Sequence, residues 1–84
     1  MKVLLVDDER LARNELRRLL AAHADLEIVG EAVDVEDARA KVAALQPDLL
    51  LLDVQMPGAD GFSLLEQLEP PLPLVIFTTA YDEF

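Results

Sequence analysis

Four short apolar runs, separated by stretches with helical periodicity, constrain the fold of this chain more than any other feature. The runs are KVLLV at 2–6, LEIVGEA at 26–32, DLLLLDV at 48–54 and LVIFTTA at 74–80. Strands that alternate with helices and are apolar along most of their length are typical of a parallel sheet covered on both faces. The chain is therefore predicted to be an α/β protein of order βαβαβαβ, with right-handed crossovers.

The three predicted helices begin near residues 9, 34 and 61, and each has a plausible start or stop signal. Asp8 is predicted to cap the first helix and Asp34 the second, while Pro47 ends the second. The apolar stripes at helical spacing are Ala12, Leu16, Leu19 and Leu20 in the first helix and Ala38, Val42 and Leu45 in the second. These stripes are predicted to face the sheet.

The composition excludes several classes of protein. The chain has 84 residues, 52% of them apolar, which suits one small domain with its own core. It has no cysteine, and therefore no disulfide framework or thiolate metal site. No apolar run approaches the roughly 18 residues of a membrane span, so a cytoplasmic location without membrane contact is expected. The net charge of −10 argues against contact with nucleic acid.

Acidic and hydroxyl residues follow the ends of the predicted strands. Asp7 and Asp8 follow the first strand, Asp53 ends the third, and Thr78 and Thr79 come late in the fourth. Ligands of open parallel sheets bind beyond the carboxyl ends of the strands. If the first and third strands are neighbours, three carboxylates meet there, and a cation such as Mg²⁺ would relieve their repulsion. Asp53 is then the natural nucleophile, because aspartyl-phosphate formation is an established form of covalent catalysis.

Each of these residues also has a purely structural interpretation. Asp8 alone is more often a helix cap, and Asp53 alone, ahead of a Pro-Gly pair, is often a turn residue. Their joint placement with Asp7 and the threonines favours a site. On another face of the first helix, Arg10, Arg13 and Arg17 are by default solvated and paired at i,i+4 spacing.

Three motifs in this order resemble the receiver domain of two-component response regulators. They are KVLLVDDE at 2–9, PDLLLLDVQMPGADGFSLLEQL at 47–68 and PLVIFTTAYDEF at 73–84, and their wording is closest to regulators with a LytTR-type DNA-binding output domain. The resemblance implies a flavodoxin-like three-layer parallel sheet. Residues 1–84 are expected to form a single partial domain, an incomplete (βα)3β with strand order 2-1-3-4, without an output domain.

The resemblance also implies a role for each matching residue. Asp53 matches the phosphoacceptor, which receives a phosphoryl group from a sensor histidine kinase or a phosphotransfer protein, and Thr79 matches the switch threonine that contacts that group. Asp7, Asp8, Asp53 and the Gln55 backbone carbonyl match the Mg²⁺ site, with Asp8 as a direct ligand and Asp7 acting largely through water. In the family the first helix contributes to docking the kinase, which gives Arg10, Arg13 and Arg17 a second interpretation. The implied function is a phosphorylation-dependent switch in signal transduction and transcription regulation, not an enzyme.

The sequence departs from the family pattern after the fourth strand. The family has a lysine at the end of a fifth strand, whereas Lys2 and Lys41, the two lysines of this chain, lie elsewhere. The fourth strand is expected to be an apolar edge of the sheet and hence a site of self-association. The lack of a lysine that matches the family's position favours an alternative function, an interaction or self-assembly module that keeps the receiver fold without being phosphorylated.

Two enzyme classes fit less well. A phosphohydrolase with an aspartyl nucleophile usually has a second acid two residues later, where this chain has Gln55. A dinucleotide-binding fold needs a G-x-G-x-x-G motif after the first strand, and none is present.

Overall fold

The structure is a computed structural model that describes residues 1–54, 56 and 61–78. The strands are β1 (Lys2–Val6), β2 (Glu27–Ala32), β3 (Leu49–Asp53) and β4 (Leu74–Thr78), and the helices are α1 (Arg10–Leu20), α2 (Val35–Leu45) and α3 (Gly61–Gln67). All strand pairs are parallel, and the sheet order is β2-β1-β3-β4. The predicted α/β class, element order and strand order are confirmed.

Apolar side chains of β1 and β3 alternate between two cores, one on each face of the sheet. The core beneath α2 and α3 contains Leu4, Val6, Ala32, Val35, Ala38, Leu50, Leu52, Met56 and Leu64. The core beneath α1 contains Val3, Leu5, Leu49 and Leu51, with Leu16 and Leu20 packed against it. Because β1 and β3 are buried on both faces, their backbone is held firmly up to the residues at which they end.

The second helix begins and ends as the sequence predicts. The side chain of Asp34 accepts a hydrogen bond of 2.7 Å from the backbone N–H of Asp37. The helix ends at Leu45, and Gln46, the residue before Pro47, adopts a left-handed conformation with φ of 49°. Proline disfavours a helical conformation in the residue before it, which explains the stop.

Two predictions for the first helix are wrong. Glu9, not Asp8, occupies the N-cap position, and its side chain makes no capping hydrogen bond. The backbone N–H of Glu9 instead bonds to the side chain of Asp7, so the acids here organise the strand-to-helix turn rather than cap the helix. Leu19 is 52% exposed and does not join the apolar stripe, because α1 turns Leu16 and Leu20 toward the sheet.

Strand β4 lies at one edge of the sheet and is poorly covered. Leu74 and Ile76 are 63% and 53% exposed on the α1 face. On the other face Phe77 packs against Phe62 of α3, with ring centroids 4.9 Å apart. Among the described residues, none of the helices has the length and apolar character needed to cross a membrane.

Candidate functional site

Three carboxylates meet at the carboxyl edge of the sheet. Val6 and Leu52 are register partners on β1 and β3, so the residues that follow them, Asp7 and Asp53, come side by side. Asp8 is the next residue along the chain. One carboxylate oxygen from each of the three aspartates lies within 4.8 Å of the others. The convergence that the sequence predicts is confirmed for these three residues.

The backbone and side chain of Asp7 are held from three directions. Its N–H donates to the carbonyl of Ala32 at 3.0 Å, and its carboxylate accepts from the N–H of Glu9 at 2.9 Å. Its carbonyl accepts from Nη1 of Arg13 at 2.7 Å. Asp7 is also only 6% exposed, and Asp53 only 8%, whereas Asp8 is exposed. Two of the three carboxylates therefore belong to the rigid end of the sheet.

Burial and neighbouring charge make the ionised form of Asp7 unfavourable. Desolvation is the largest cause that raises the pKa of Asp7, and the negative charges of Asp53, Asp8 and Glu9 raise it further. The hydrogen bond from the Glu9 N–H acts in the opposite direction without cancelling these effects. A cation bound among these groups would remove the repulsion that raises this pKa.

The residues of the cluster fit a hard divalent cation. All three donors are carboxylate oxygens, which are the ligands that Mg²⁺ prefers. Two ligands on opposite sides of a Mg²⁺ ion are about 4 Å apart, since each Mg–O distance is about 2.0–2.1 Å. The observed limit of 4.8 Å is only slightly larger. The exposure of Asp8 leaves one side of the cluster open to water and to a further oxygen ligand.

Arginines of α1 reach across to β2 next to this cluster. Nε of Arg13 donates to Glu31 at 2.6 Å, and Nε of Arg17 donates to the other carboxylate oxygen of Glu31. Hydrogen bonds from Arg17 and then from Arg13 lower the pKa of Glu31. The expected pairing along the same helix is wrong for Arg13 and Arg17, which pair with Glu31 instead, and the expected solvation is wrong only for Arg13. Arg13 is only 11% exposed at its side chain and, through Asp7, reaches the cluster itself.

Comparison with known proteins identifies the family. A family model of the response regulator receiver domain matches residues 3–84 of this chain. The chain belongs to the response regulator receiver domain family. It is a family of regulatory domains, and receiver domains generally bind Mg²⁺ at an acidic pocket such as the one described above.

Named relatives and solved structures of receiver domains agree with this assignment. The chain is 47% identical to the transcriptional regulatory protein BtsR of Salmonella typhi and 44% identical to the sensory transduction protein LytT of Bacillus cereus. These alignments cover 100% of this chain but only 36% and 35% of the two relatives. The response regulator domain of Thermotoga maritima CheB has a TM-score of 0.85 and 31% identity, over 95% of this chain and 60% of that chain. The chain thus spans about a third of the length of the curated relatives it matches.

The structure describes only some of the other residues predicted for the site. Gln55 and Thr79 lie outside the described residues. Thr78, which precedes the predicted switch residue Thr79, is the register partner of Asp53 on β4. The two lysines have other partners: Lys2 donates to the carbonyl of Leu45, and Lys41 to the carbonyl of Glu31. Neither of these contacts is with a carboxylate of the cluster.

Sequence reasoning missed the contact of Arg13 with the carbonyl of Asp7. The helical period places Arg13 away from the apolar stripe, which is also where solvated arginines lie. A usable signal is the acid at the end of β2, Glu31, which a three-layer arrangement brings next to the first turns of α1. Pairing a basic residue with that acid requires knowing that β2 neighbours β1.

Proposed function

We propose that this receiver domain accepts a phosphoryl group on Asp53 and acts as a conformational switch in a two-component signalling system. The observation that carries the proposal is the cluster of Asp7, Asp8 and Asp53 at the carboxyl edge of the sheet. Asp53 ends a strand whose five residues are all buried. Its carboxylate is therefore presented from a rigid scaffold, which is what a nucleophile in a preorganised site requires.

The phosphoryl transfer that we propose proceeds from a phosphohistidine of a sensor kinase or phosphotransfer protein. A carboxylate oxygen of Asp53 forms a bond to phosphorus, the bond between phosphorus and the histidine nitrogen breaks, and that nitrogen keeps the electron pair. Thr79 is proposed to contact the transferred group. The added charge and acceptor oxygens then change the surface that partners recognise.

The acidic cluster is proposed to hold Mg²⁺ through Asp7, Asp8 and Asp53, with the Gln55 carbonyl as a further ligand. When bound, Mg²⁺ supplies positive charge that offsets the negative charge of both the carboxylates and the incoming phosphoryl group. Asp7 and Asp53 are buried at the end of the sheet, whereas the exposed Asp8 leaves the cluster accessible to the donor.

The kinase is proposed to dock next to α1, in the cytoplasm. Arg10 is exposed and Arg17 is 46% exposed at its side chain, so both can meet an acidic partner surface. Arg13 is mostly buried against Glu31 and contributes less to such a surface. Of the three arginines predicted for this role, Arg10 and Arg17 therefore have the stronger structural support.

Small phosphodonors test the proposed function directly. We expect acetyl phosphate with Mg²⁺ to add one phosphoryl group to the chain, detected by intact-mass spectrometry, and Asp53→Asn to abolish this addition. Chelation of Mg²⁺ should prevent it in the unaltered chain. The control is Asp48→Asn, at the opposite end of β3, which should be labelled like the unaltered chain. If a chain shown to be folded by circular dichroism gains no label on Asp53, phosphoacceptor function is refuted.

A second candidate function, self-assembly, is favoured by the exposure of β4. This strand forms an edge of the described sheet, and its apolar Leu74 and Ile76 are more than half exposed. An uncharged, β-branched edge is able to pair with another chain. We therefore propose that two copies associate through β4, in a contact independent of the acidic cluster.

The oligomeric state tests this contact. We expect the chain to form dimers or larger species at micromolar concentration, measured by size-exclusion chromatography with light scattering. Ile76→Lys should shift the mass to that of a monomer, because a charge on the edge strand opposes pairing. Leu11→Lys, at a similarly exposed leucine on α1, is the matched control and should leave the mass unchanged. A monomer of the unaltered chain at every concentration would rule the contact out.

A further inference from the structure

We propose that Arg13 is a positioning residue of the metal site, which it supports by holding the backbone carbonyl of Asp7. This inference rests on the proposed Mg²⁺-dependent function and assigns to that site a residue from outside the acidic cluster. The contact that carries it is the 2.7 Å hydrogen bond from Nη1 of Arg13 to the Asp7 carbonyl.

The guanidinium of Arg13 is itself fixed in place. Its Nε donates to Glu31 at 2.6 Å, so one planar group joins α1, the turn after β1 and the end of β2. A guanidinium can do this because its donors form a rigid fork, and its side chain is only 11% exposed. Arg13 therefore connects these three segments in a fixed geometry and is not a mobile surface charge.

The segment that Arg13 restrains carries two of the three carboxylates. The carbonyl of Asp7 belongs to the peptide that links Asp7 to Asp8, so its orientation sets the direction in which the chain leaves β1. The N–H of Asp7 is already fixed by Ala32. Without Arg13, the peptide between Asp7 and Asp8 loses the side-chain hydrogen bond that fixes its orientation. Partners that orient metal ligands in this way commonly contribute ten-fold or more to metal affinity.

The role of Arg13 is geometric rather than a matter of net charge. Glu31 lies against the Arg13 guanidinium and offsets its positive charge, and Arg17 pairs with the same carboxylate. Among the described residues, Arg17 makes no hydrogen bond with Asp7, although it lies one helical turn further along α1. Arg13 and Arg17 thus carry the same charge and share Glu31 as a partner, but they differ in that Arg13 also contacts Asp7.

This difference provides a matched pair of variants. Arg13→Gln and Arg17→Gln each remove one positive charge and one ion pair with Glu31. We expect Arg13→Gln to weaken Mg²⁺ binding about ten-fold, and Arg17→Gln to change it less than about two-fold, since exposed ion pairs contribute little. Affinity is measured by Mg²⁺ titration of amide resonances, with Asp8 and Glu9 as reporters. Melting temperatures are measured in parallel.

A second pair of variants, Arg13→Lys and Arg17→Lys, keeps the positive charge and is less prone to unfold the chain. Arg13→Lys retains a cation but has no fork that could hold Glu31 and the Asp7 carbonyl in fixed geometry. It should therefore weaken Mg²⁺ binding, whereas Arg17→Lys should not. If both arginine positions change Mg²⁺ affinity equally, or if Arg13 variants lower only the melting temperature, the positioning role is overturned while the proposed function stands. Absence of saturable Mg²⁺ binding in the unaltered chain would overturn both.

Discussion

Asp7→Asn is expected to stabilise the metal-free protein and, at the same time, to weaken its Mg²⁺ binding. The asparagine removes a buried negative charge whose pKa is raised by desolvation and by Asp53, Asp8 and Glu9. Its side-chain oxygen can still accept the hydrogen bond from the Glu9 N–H. We expect a gain of about 1 kcal/mol in the free energy of unfolding at neutral pH, which corresponds to roughly 4–8 °C in melting temperature for a domain of this size.

The loss of Mg²⁺ affinity has the same origin as the gain in stability. An amide oxygen is neutral, and the cluster then offers two negative charges instead of three to the cation. We expect the affinity to fall about 10–100-fold, measured by the same titration of amide resonances. Repulsion among the carboxylates lowers the stability of the fold, while the same negative charges attract the cation. Such a conflict between stability and function is common at functional sites.

The stabilisation by Asp7→Asn should depend on pH in a direction that can be measured. The folded-state pKa of Asp7 is raised above its ordinary value of 3.8, so the folded state holds the proton more tightly than the unfolded state. The stability contributed by protonated Asp7 is fully present below pH 3.8 and is lost as the pH rises through the raised pKa. The advantage of Asp7→Asn over the unaltered chain should therefore be small in acid and reach its full size near neutral pH.

A change of net charge alone would also affect stability, and Asp25→Asn is the control for this effect. Asp25 is exposed and lies at the amino end of the sheet, just ahead of β2. Its variant has the same net charge as Asp7→Asn but should change neither the melting temperature nor Mg²⁺ affinity appreciably. Equal stabilisation by the two variants would mean that general charge, not the cluster, is responsible.

The order of the elements and the acidic cluster could be predicted because both follow from local patterns. The apolar runs of β1 and β3 are continuous, and a continuous run is typical of a strand buried on both faces. The end of such a strand is visible in the sequence as the first charged residue, here Asp7 and Asp53. Parallel strands bring their carboxyl ends to one edge, so the meeting of these residues follows once β1 and β3 are adjacent.

The error in the pairing of Arg13 and Arg17 concerns contacts between elements that are far apart in the sequence. The roles of Arg13 and Arg17 depend on Glu31, which is 18 and 14 residues away. Helical periodicity says which side of α1 avoids the core, but not whether that side meets solvent or the end of β2. The misassigned cap has a local cause: Asp8 has the residue type of a cap, yet Asp7 makes the hydrogen bond at this turn.

Gly61→Ala is expected to destabilise the fold and to displace Asp53, the proposed phosphoacceptor. Gly61 is the buried first residue of α3, and its N–H donates to the carbonyl of Val54 at 3.0 Å. A Cβ placed on Gly61 would lie 2.8 Å from the backbone carbonyl oxygen of Asp53 and 3.2 Å from the Cα of Val54. Both atoms belong to the backbone at the end of β3, so neither can move away by a change of rotamer.

Two effects of this substitution oppose each other, and their sizes decide the outcome. Alanine is favoured over glycine by about 1 kcal/mol in a helix interior, and by less at a first helical position such as residue 61. Overpacking of a closely packed core costs about 1–3 kcal/mol. We therefore expect a net loss of roughly 1–2 kcal/mol in the free energy of unfolding, measured by urea denaturation.

The other described glycine that approaches its neighbours closely, Gly30 on β2, supplies the matched control. A Cβ on Gly30 would lie 3.0 Å from Cδ1 of Leu45 and 3.4 Å from Cδ1 of Leu4, which are the ends of flexible side chains. Gly30→Ala should therefore cost less than about 1 kcal/mol and leave Mg²⁺ affinity unchanged. Gly61→Ala should also weaken Mg²⁺ binding, because α3 and the Asp53 backbone must separate. If the two variants are equally stable and bind Mg²⁺ equally well, contact between Gly61 and the end of β3 does not set the position of Asp53.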